Sequence, residues 1–280
     1  MTWNLETKSP QVHRVTFTGI KSGWEGWALL MSDEHWDNRH ADLALIRRHH
    51  EEAKERNAPV FKFGDTFCAM QGKWDRRADQ NHLRPEHRGN NYLDQLVATA
   101  ADFYGPFASQ IALMTPGNHE GSIMERHQTS LLDRLKERLG TPALGAYEGF
   151  VVFGFQKTAA TKPDYSTTLR WHHGYGGGGD VTRGLIDNSR TARAAIADIY
   201  YSGHIHRRNS DENIVQTLTG RHELEDRRQW WLRGSCYKDE HHGGSGWHTT
   251  TGKGARPKGG WWLNFKFRNN AISVTPIPAL

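Results

Sequence analysis

A chain of 280 residues with 36 Lys+Arg, 31 Asp+Glu and 17 His has the size of one globular domain, and its two cysteines, Cys68 and Cys236, are too few for a disulfide scaffold or a cysteine-rich zinc module. Residues 1–8 show no basic region followed by an apolar core, and no stretch approaches the roughly 20 apolar residues of a membrane span, so a cytoplasmic, reducing location without membrane insertion is expected. The formal charge of +5 falls entirely on residues 241–280, which carry five basic and no acidic side chains, either as a solvated surface or as a face for phosphate-rich ligands.

Two early strands are expected over Val12–Gly19 and Glu25–Met31, the second running into Ser32-Asp33-Glu34-His35. Leu43, Ile46 and Ala53 recur at helical spacing among charges and predict a helix over 41–57, followed by a strand over Pro59–Phe63 that ends at Gly64-Asp65. Residues 66–90 are polar and Arg-rich and read as a loop, for binding or simply as a surface excursion. A helix over Tyr92–Tyr104 and a strand over Ile111–Met114 lead to Gly117-Asn118-His119-Glu120, and the leucines between Ile123 and Leu139 predict a single helix stopped by Gly140 and Pro142. Strands over Tyr147–Phe155 and Thr167–Trp171 precede His172-His173-Gly174. A glycine run at 176–179, a helix over Leu185–Ala197 and a strand over Asp198–Ser202 then lead to Gly203-His204-Ile205-His206. Gln229–Leu232, Trp261–Phe267 and Ile272–Thr275 read as further strands, with 243–260 as the best linker candidate. Alternating strands and helices followed by a strand-rich tail predict an α/β fold, and one domain over 1–280 whose basic part at 207–280 completes the sheets.

Five polar clusters each follow an expected strand, the place where loops of an α/β sheet converge on a ligand. Asp33, His35, Asp65, Asn118, one of His172 and His173, His204 and His206 would offer carboxylate, amide and imidazole donors without a thiolate. These are too many for one divalent ion and about right for two, and they suit Mn, Fe, Zn or Ni. Residues two apart in a strand share a face, so Asp33 with His35, and the neighbours around His204 and His206, are expected to grip an ion together, and Asp65 can bring a carboxylate between two ions.

Taken in order, Asp33-x-His35, Gly64-Asp65, Gly117-Asn118-His119-Glu120, His172-His173-Gly174 and Gly203-His204-x-His206 resemble the five motifs of calcineurin-like metallophosphoesterases, spanning residues 33–206. The resemblance implies a layered β-sandwich of mixed sheets flanked by helices. It also implies two divalent ions, most simply Mn²⁺: one on Asp33, His35 and His206, the other on Asn118, His204 and His172 or His173, with Asp65 bridging. His173, directly before the glycine, is the preferred choice. His119 would face the substrate and give a proton to the leaving oxygen or stabilise its charge, steadied by Glu120 or another acid, while metal-activated hydroxide attacks phosphorus. Thr66 and Phe67 stand where many relatives carry a further acid or amide, and Glu120 where aspartate is commoner.

The expected activity is hydrolysis of phosphodiesters, with phosphomonoesters as a second class of substrate. Trp230-Trp231 and Trp261-Trp262 interleave with Arg and Lys, which extends the reading to a nuclease acting on DNA or RNA, although one ring of each pair is expected to face the core. A scaffold that keeps the fold without catalysis, and a structural zinc protein, are the contrasting readings. The pairs His49-His50 and His241-His242 read as surface residues, with the second pair also a candidate lining of a substrate groove. Oligomeric state is left open.

Overall fold

The computed structural model describes residues 2–69, 78–160, 162–176, 186, 195–242 and 246–280. The strands in chain order are β1 (Thr2–Ser9), β2 (Val12–Thr18), β3 (Trp24–Met31), β4 (Val60–Phe63), β5 (Ile111–Thr115), β6 (Ala143–Leu144), β7 (Glu148–Gln156), β8 (Tyr165–His172), β9 (Ile199–Ser202), β10 (Asn209–Leu218), β11 (Leu224–Arg233), β12 (Trp261–Arg268) and β13 (Ala271–Pro278). The main helices are α1 (Leu43–Glu55), α2 (Tyr92–Tyr104), α3 (Asn118–His127) and α4 (Leu131–Leu139). The glycine run beyond Gly176, most of the expected 185–197 helix and part of the 66–90 loop lie outside the described residues.

The strands form two mixed sheets, one in the order β1-β2-β7-β8-β9-β11-β10 and the other β13-β12-β3-β4-β5-β6. Period-two side chains sort themselves between two cores. Ala28 and Leu30 of β3, Phe61 and Phe63 of β4, and Leu263 and Phe265 of β12 point between the sheets and meet Val151, Phe153, Leu169 and Trp171. Leu29, Met31, Val60 and Trp262 point the other way, against Ile46 and Ala53 of α1, Leu96 and Ala100 of α2, and Leu131 and Leu135 of α4. Both faces of the second sheet are therefore covered, which is why its central strands read as continuous apolar runs. This is the layered sandwich of mixed sheets flanked by helices expected from the sequence.

Several local expectations change. The single helix over 123–139 is two. Gln128 adopts a left-handed conformation (φ 51°) that ends α3, and the Ser130 hydroxyl accepts the Asp133 N–H at 3.1 Å to start α4. Three strands were not anticipated: β1, β6 and β10. The first has only Trp3 and Leu5 as inward apolar residues, and β10 is mostly exposed, held by its antiparallel pairing with β11 from Asn209↔Arg233 to Leu218↔Leu224.

Trp261 and Trp262 are both buried, since each face of β12 packs on a core, and Trp231 stacks on Tyr200 at 5.2 Å. His49 and His50 are fully buried rather than on the surface, because the inner face of α1 continues through them. His49 Nδ1 lies 3.0 Å from the Tyr237 hydroxyl and His50 Nδ1 donates to the Ile46 carbonyl at 3.0 Å. Among the described residues no helix is long and apolar enough to cross a membrane.

Candidate metal centre

The parallel strands β3, β4 and β5 of one sheet, and β8 and β9 of the other, end at the same rim of the sandwich. The loops beyond them continue the ladders for a few residues. Asp33 N–H donates to the Gly64 carbonyl (3.0 Å), His35 N–H to that of Asp65 (3.0 Å), and Gly203 N–H to that of His173 (2.7 Å). Asp33 and His35 were expected to share a strand face. They instead follow the strand end, with φ of 55° and 45°, and His204 and His206 repeat the pattern at 72° and 50°. Asp65 (φ 52°) is also left-handed. Each such non-glycine residue costs on the order of 1 kcal/mol, so five of them at one rim mark a place where side-chain direction outranks backbone comfort.

Two glycines make the approach close. A Cβ on Gly117 would lie 2.1 Å from Asp65 Oδ1, and one on Gly64, itself at φ 93°, would lie 2.2 Å from His173 Nδ1.

The side chains gather in two adjoining groups, Asp33 with His35 and His206, and Asp65 with His173 and His204. His35 Nε2 and His206 Nε2 are 3.1 Å apart, and His206 Nε2 lies 3.5 Å from Asp33 Oδ1. His173 Nε2 lies 3.2 Å from Asp65 and 3.9 Å from Asp33, and so links the groups. Asn118 Oδ1 is 2.8 Å from His204 Nδ1 and 3.2 Å from His173 Nε2.

Of the two adjacent histidines only His173 enters this cluster. Its Nδ1–H donates to the Phe63 carbonyl (2.9 Å), which leaves Nε2 as the inward nitrogen. His172 points aside, with Nδ1 accepting the Gly174 N–H at 2.9 Å and Nε2 4.0 Å from Glu148.

Electrostatics favour a cation here. Burial, then His119 and His206, hold His35 well below the usual imidazole range, and burial, then His173, lowers His204, so both present neutral lone pairs. At Asp65 burial opposes the charge, but His173 and then His119 outweigh it and keep the carboxyl well below its usual range. Burial likewise opposes a proton on His173, yet Asp65 and Asp33 push it up to about 10. Imidazolium charge is thus drawn in to balance buried carboxylates, the role a bound cation takes over. The donor set, rich in imidazole nitrogen and carboxylate oxygen, fits divalent metal.

His119 sits at the start of α3. Its backbone N–H donates to Asp65 Oδ1 (2.9 Å), placing a carboxylate at the helix N-terminus. Its ring Nδ1–H donates to the Cys68 carbonyl, and Nε2 lies 3.8 Å from Asp65 Oδ2. The expectation that Glu120 or another acid steadies this ring is corrected for Glu120. Glu120 instead accepts the backbone N–H groups of Gly117 (2.9 Å), Asp65 (3.1 Å) and Phe67 (2.8 Å), tying the second and third motifs together, and no hydrogen bond joins it to the imidazole. Burial, then Asp65, pushes its carboxyl up to about 8.

Three features escaped the sequence. Glu240 accepts from His206 Nδ1–H at 3.2 Å and from Lys238 at 2.7 Å, while almost fully buried. Below the rim a buried Lys62–Glu34 pair (2.5 Å) also receives the Tyr104 hydroxyl. Arg256, from the basic tail, donates to the Ile205 carbonyl at 3.0 Å and braces the His204–His206 turn. None has a motif; only Glu240's neighbours His241-His242 stood out, and His242 stacks on His40 at 3.5 Å beside a cavity lined also by His82, Asn38 and Lys238.

No protein-family model and no curated protein matches the chain. Among solved structures it is similar to a conserved uncharacterized protein of Streptococcus pneumoniae described as a predicted phosphoesterase, at 13% identity over 92% of each chain and a TM-score of 0.31. It is also similar to Vps29 of Entamoeba histolytica complexed with zinc, at 11% identity over 91% of this chain and 99% of that one, TM-score 0.31. A metallophosphoesterase of Sphaerobacter thermophilus aligns at 11% identity over 90% and 88%, TM-score 0.36. Likeness at this level assigns neither activity nor ligand to the chain.

Proposed function

We propose that the protein is a metal-dependent phosphoric ester hydrolase of the calcineurin-like type, acting on phosphodiesters in the first instance. The observation that carries this reading is the pair of adjoining carboxylate–imidazole groups, linked through His173. Asp33, His35 and His206 would hold one ion, Asn118, His173 and His204 the other, and Asp65 both. Bound there, two ions, most simply Mn²⁺, would supply Lewis acidity: neutralisation of charge on a phosphoryl group and acidification of a water nucleophile.

The chain's own residues do the rest. The Phe63 carbonyl and Glu240 fix the outer nitrogens of His173 and His206, so their inner nitrogens keep one direction. The Cys68 carbonyl fixes Nδ1 of His119, leaving Nε2 to deliver a proton to the leaving oxygen. Two buried free thiols accord with work in a reducing compartment. The nuclease form finds less support than the sequence offered, because Trp231, Trp261 and Trp262 are buried and Arg256 and Lys258 are engaged within the fold.

The test is elemental analysis together with a panel of an aryl phosphodiester, an aryl phosphomonoester, and single- and double-stranded DNA and RNA, each with Mn²⁺ and with chelator. Two ions per chain and chelator-sensitive diester cleavage are expected. A chain that binds no Mn²⁺ and cleaves nothing would overturn the proposal in favour of a non-catalytic scaffold.

A further inference from the structure

The chain's only two cysteines both lie against histidines of the candidate centre. One ligand atom each of His35, Cys68 and His119 fall within 4.8 Å of one another, with the residues 1, 4 and 8% exposed. Two imidazoles and a thiol without a carboxylate form a different donor set from the groups beside it. Nδ1 of His35 is buried and has no hydrogen-bond partner among the described residues, an orphan in a site otherwise well connected. The Asn38 amide donates to Cys68 Sγ at 3.4 Å, a contact that favours a thiolate.

We propose that His35, Cys68 and His119 form a third cation site, specific for thiophilic ions such as Zn²⁺, Co²⁺ or Cd²⁺. The Cys68 thiol gives its proton to solvent as the sulfur–metal bond forms, and one nitrogen of each histidine completes a three-ligand set with the fourth tetrahedral position open. Because His35 belongs to both sets and His119 faces the substrate side, filling this site removes both from the phosphoester chemistry. Given the hydrolase reading on which this consequence rests, excess zinc would inhibit where Mn²⁺ supports. The corresponding group of His206, Cys236 and Glu240 is less suited, since Glu240 Oε1 already holds His206 and Lys238, whose ammonium repels an incoming cation.

The site stands or falls independently of the hydrolase reading, because its readout is spectroscopic. Metal-free protein titrated with Co²⁺ is expected to develop a near-ultraviolet thiolate-to-cobalt charge-transfer band, which nitrogen and oxygen ligands alone do not give. Cys68→Ser loses the band and Cys236→Ser keeps it. In the wild-type chain, Cd²⁺ is expected to develop the ultraviolet thiolate-to-cadmium absorption, a readout that needs no variant to fold. Absence of either band in the wild type, survival of the cobalt band in Cys68→Ser, or its loss in Cys236→Ser alone would overturn the proposal.

Discussion

At the residue scale, His119 and Glu240 touch the centre in different ways and are separable by experiment. His119 donates its outer N–H to a backbone carbonyl and turns the other nitrogen toward Asp65, the arrangement that the proposed proton donor needs. His119→Ala is expected to keep two ions by elemental analysis and to lose roughly 10²–10³ in kcat, the usual worth of a general acid. Glu240 reaches the expected ligands through the outer nitrogen of His206 and also holds Lys238. Glu240→Ala is expected to weaken metal binding about 10- to 100-fold in a chelator competition. Glu240→Gln, which still offers an oxygen to Nδ1–H, recovers part of that loss; equal affinity in all three proteins would remove Glu240 from the role. The motif residues were legible because each follows a strand, but Glu240 was not. It lies 34 positions beyond His206 in a stretch without pattern, and only folding carries it there.

At the element scale, the second sheet holds the rim from beneath. Lys62 of β4 and Glu34, which follows β3, pair at 2.5 Å with both side chains 1% exposed, on the helix side of the sheet and beside Tyr104 of α2. Lys62→Met leaves Glu34 charged and buried without its partner, a loss of about 3–5 kcal/mol. Lys62→Met with Glu34→Gln is expected to restore most of it, read from urea midpoints. If the single variant unfolds no earlier than wild type, the pair does not secure β3 to β4. Strand and helix periods located β2 to β5, β7 to β9, α1 and α2 well, because those elements alternate faces against cores. The division between α3 and α4 was hidden because Ile123 and Leu131 keep a helical spacing across it, and β10 because a polar exposed strand carries no apolar alternation.

For the molecule as a whole, buried histidines set an acid limit. Burial holds His50 well below its usual range, lowers His13 and His87, and brings His49 to about 4, whereas in the unfolded chain each titrates near its ordinary value. The unfolded state therefore takes up protons first as pH falls, so their contribution is complete above about pH 6.5 and is lost progressively toward the folded values. Between pH 6.5 and 4, His49 alone accounts for about 3 kcal/mol of that loss. His49→Gln should show a shallower decline in unfolding free energy across this interval. An unchanged slope would mean that His49 is already charged in the native state.

What the sequence by itself determined was the alternation of elements, the layered class of fold and the short polar strings that end the strands, since these follow from local periodicity and turn chemistry. Tertiary structure decided the rest: which of His172 and His173 turns inward, that Glu120 braces loops instead of an imidazole, that His49 and His50 are interior, and that Glu240 and Cys68 stand beside the histidines. The physical reason is that side-chain direction at a strand's end depends on left-handed turns and on contacts with residues tens to hundreds of positions away. A pattern of period two or 3.6 ends where the strand or helix does, and these side chains lie just beyond.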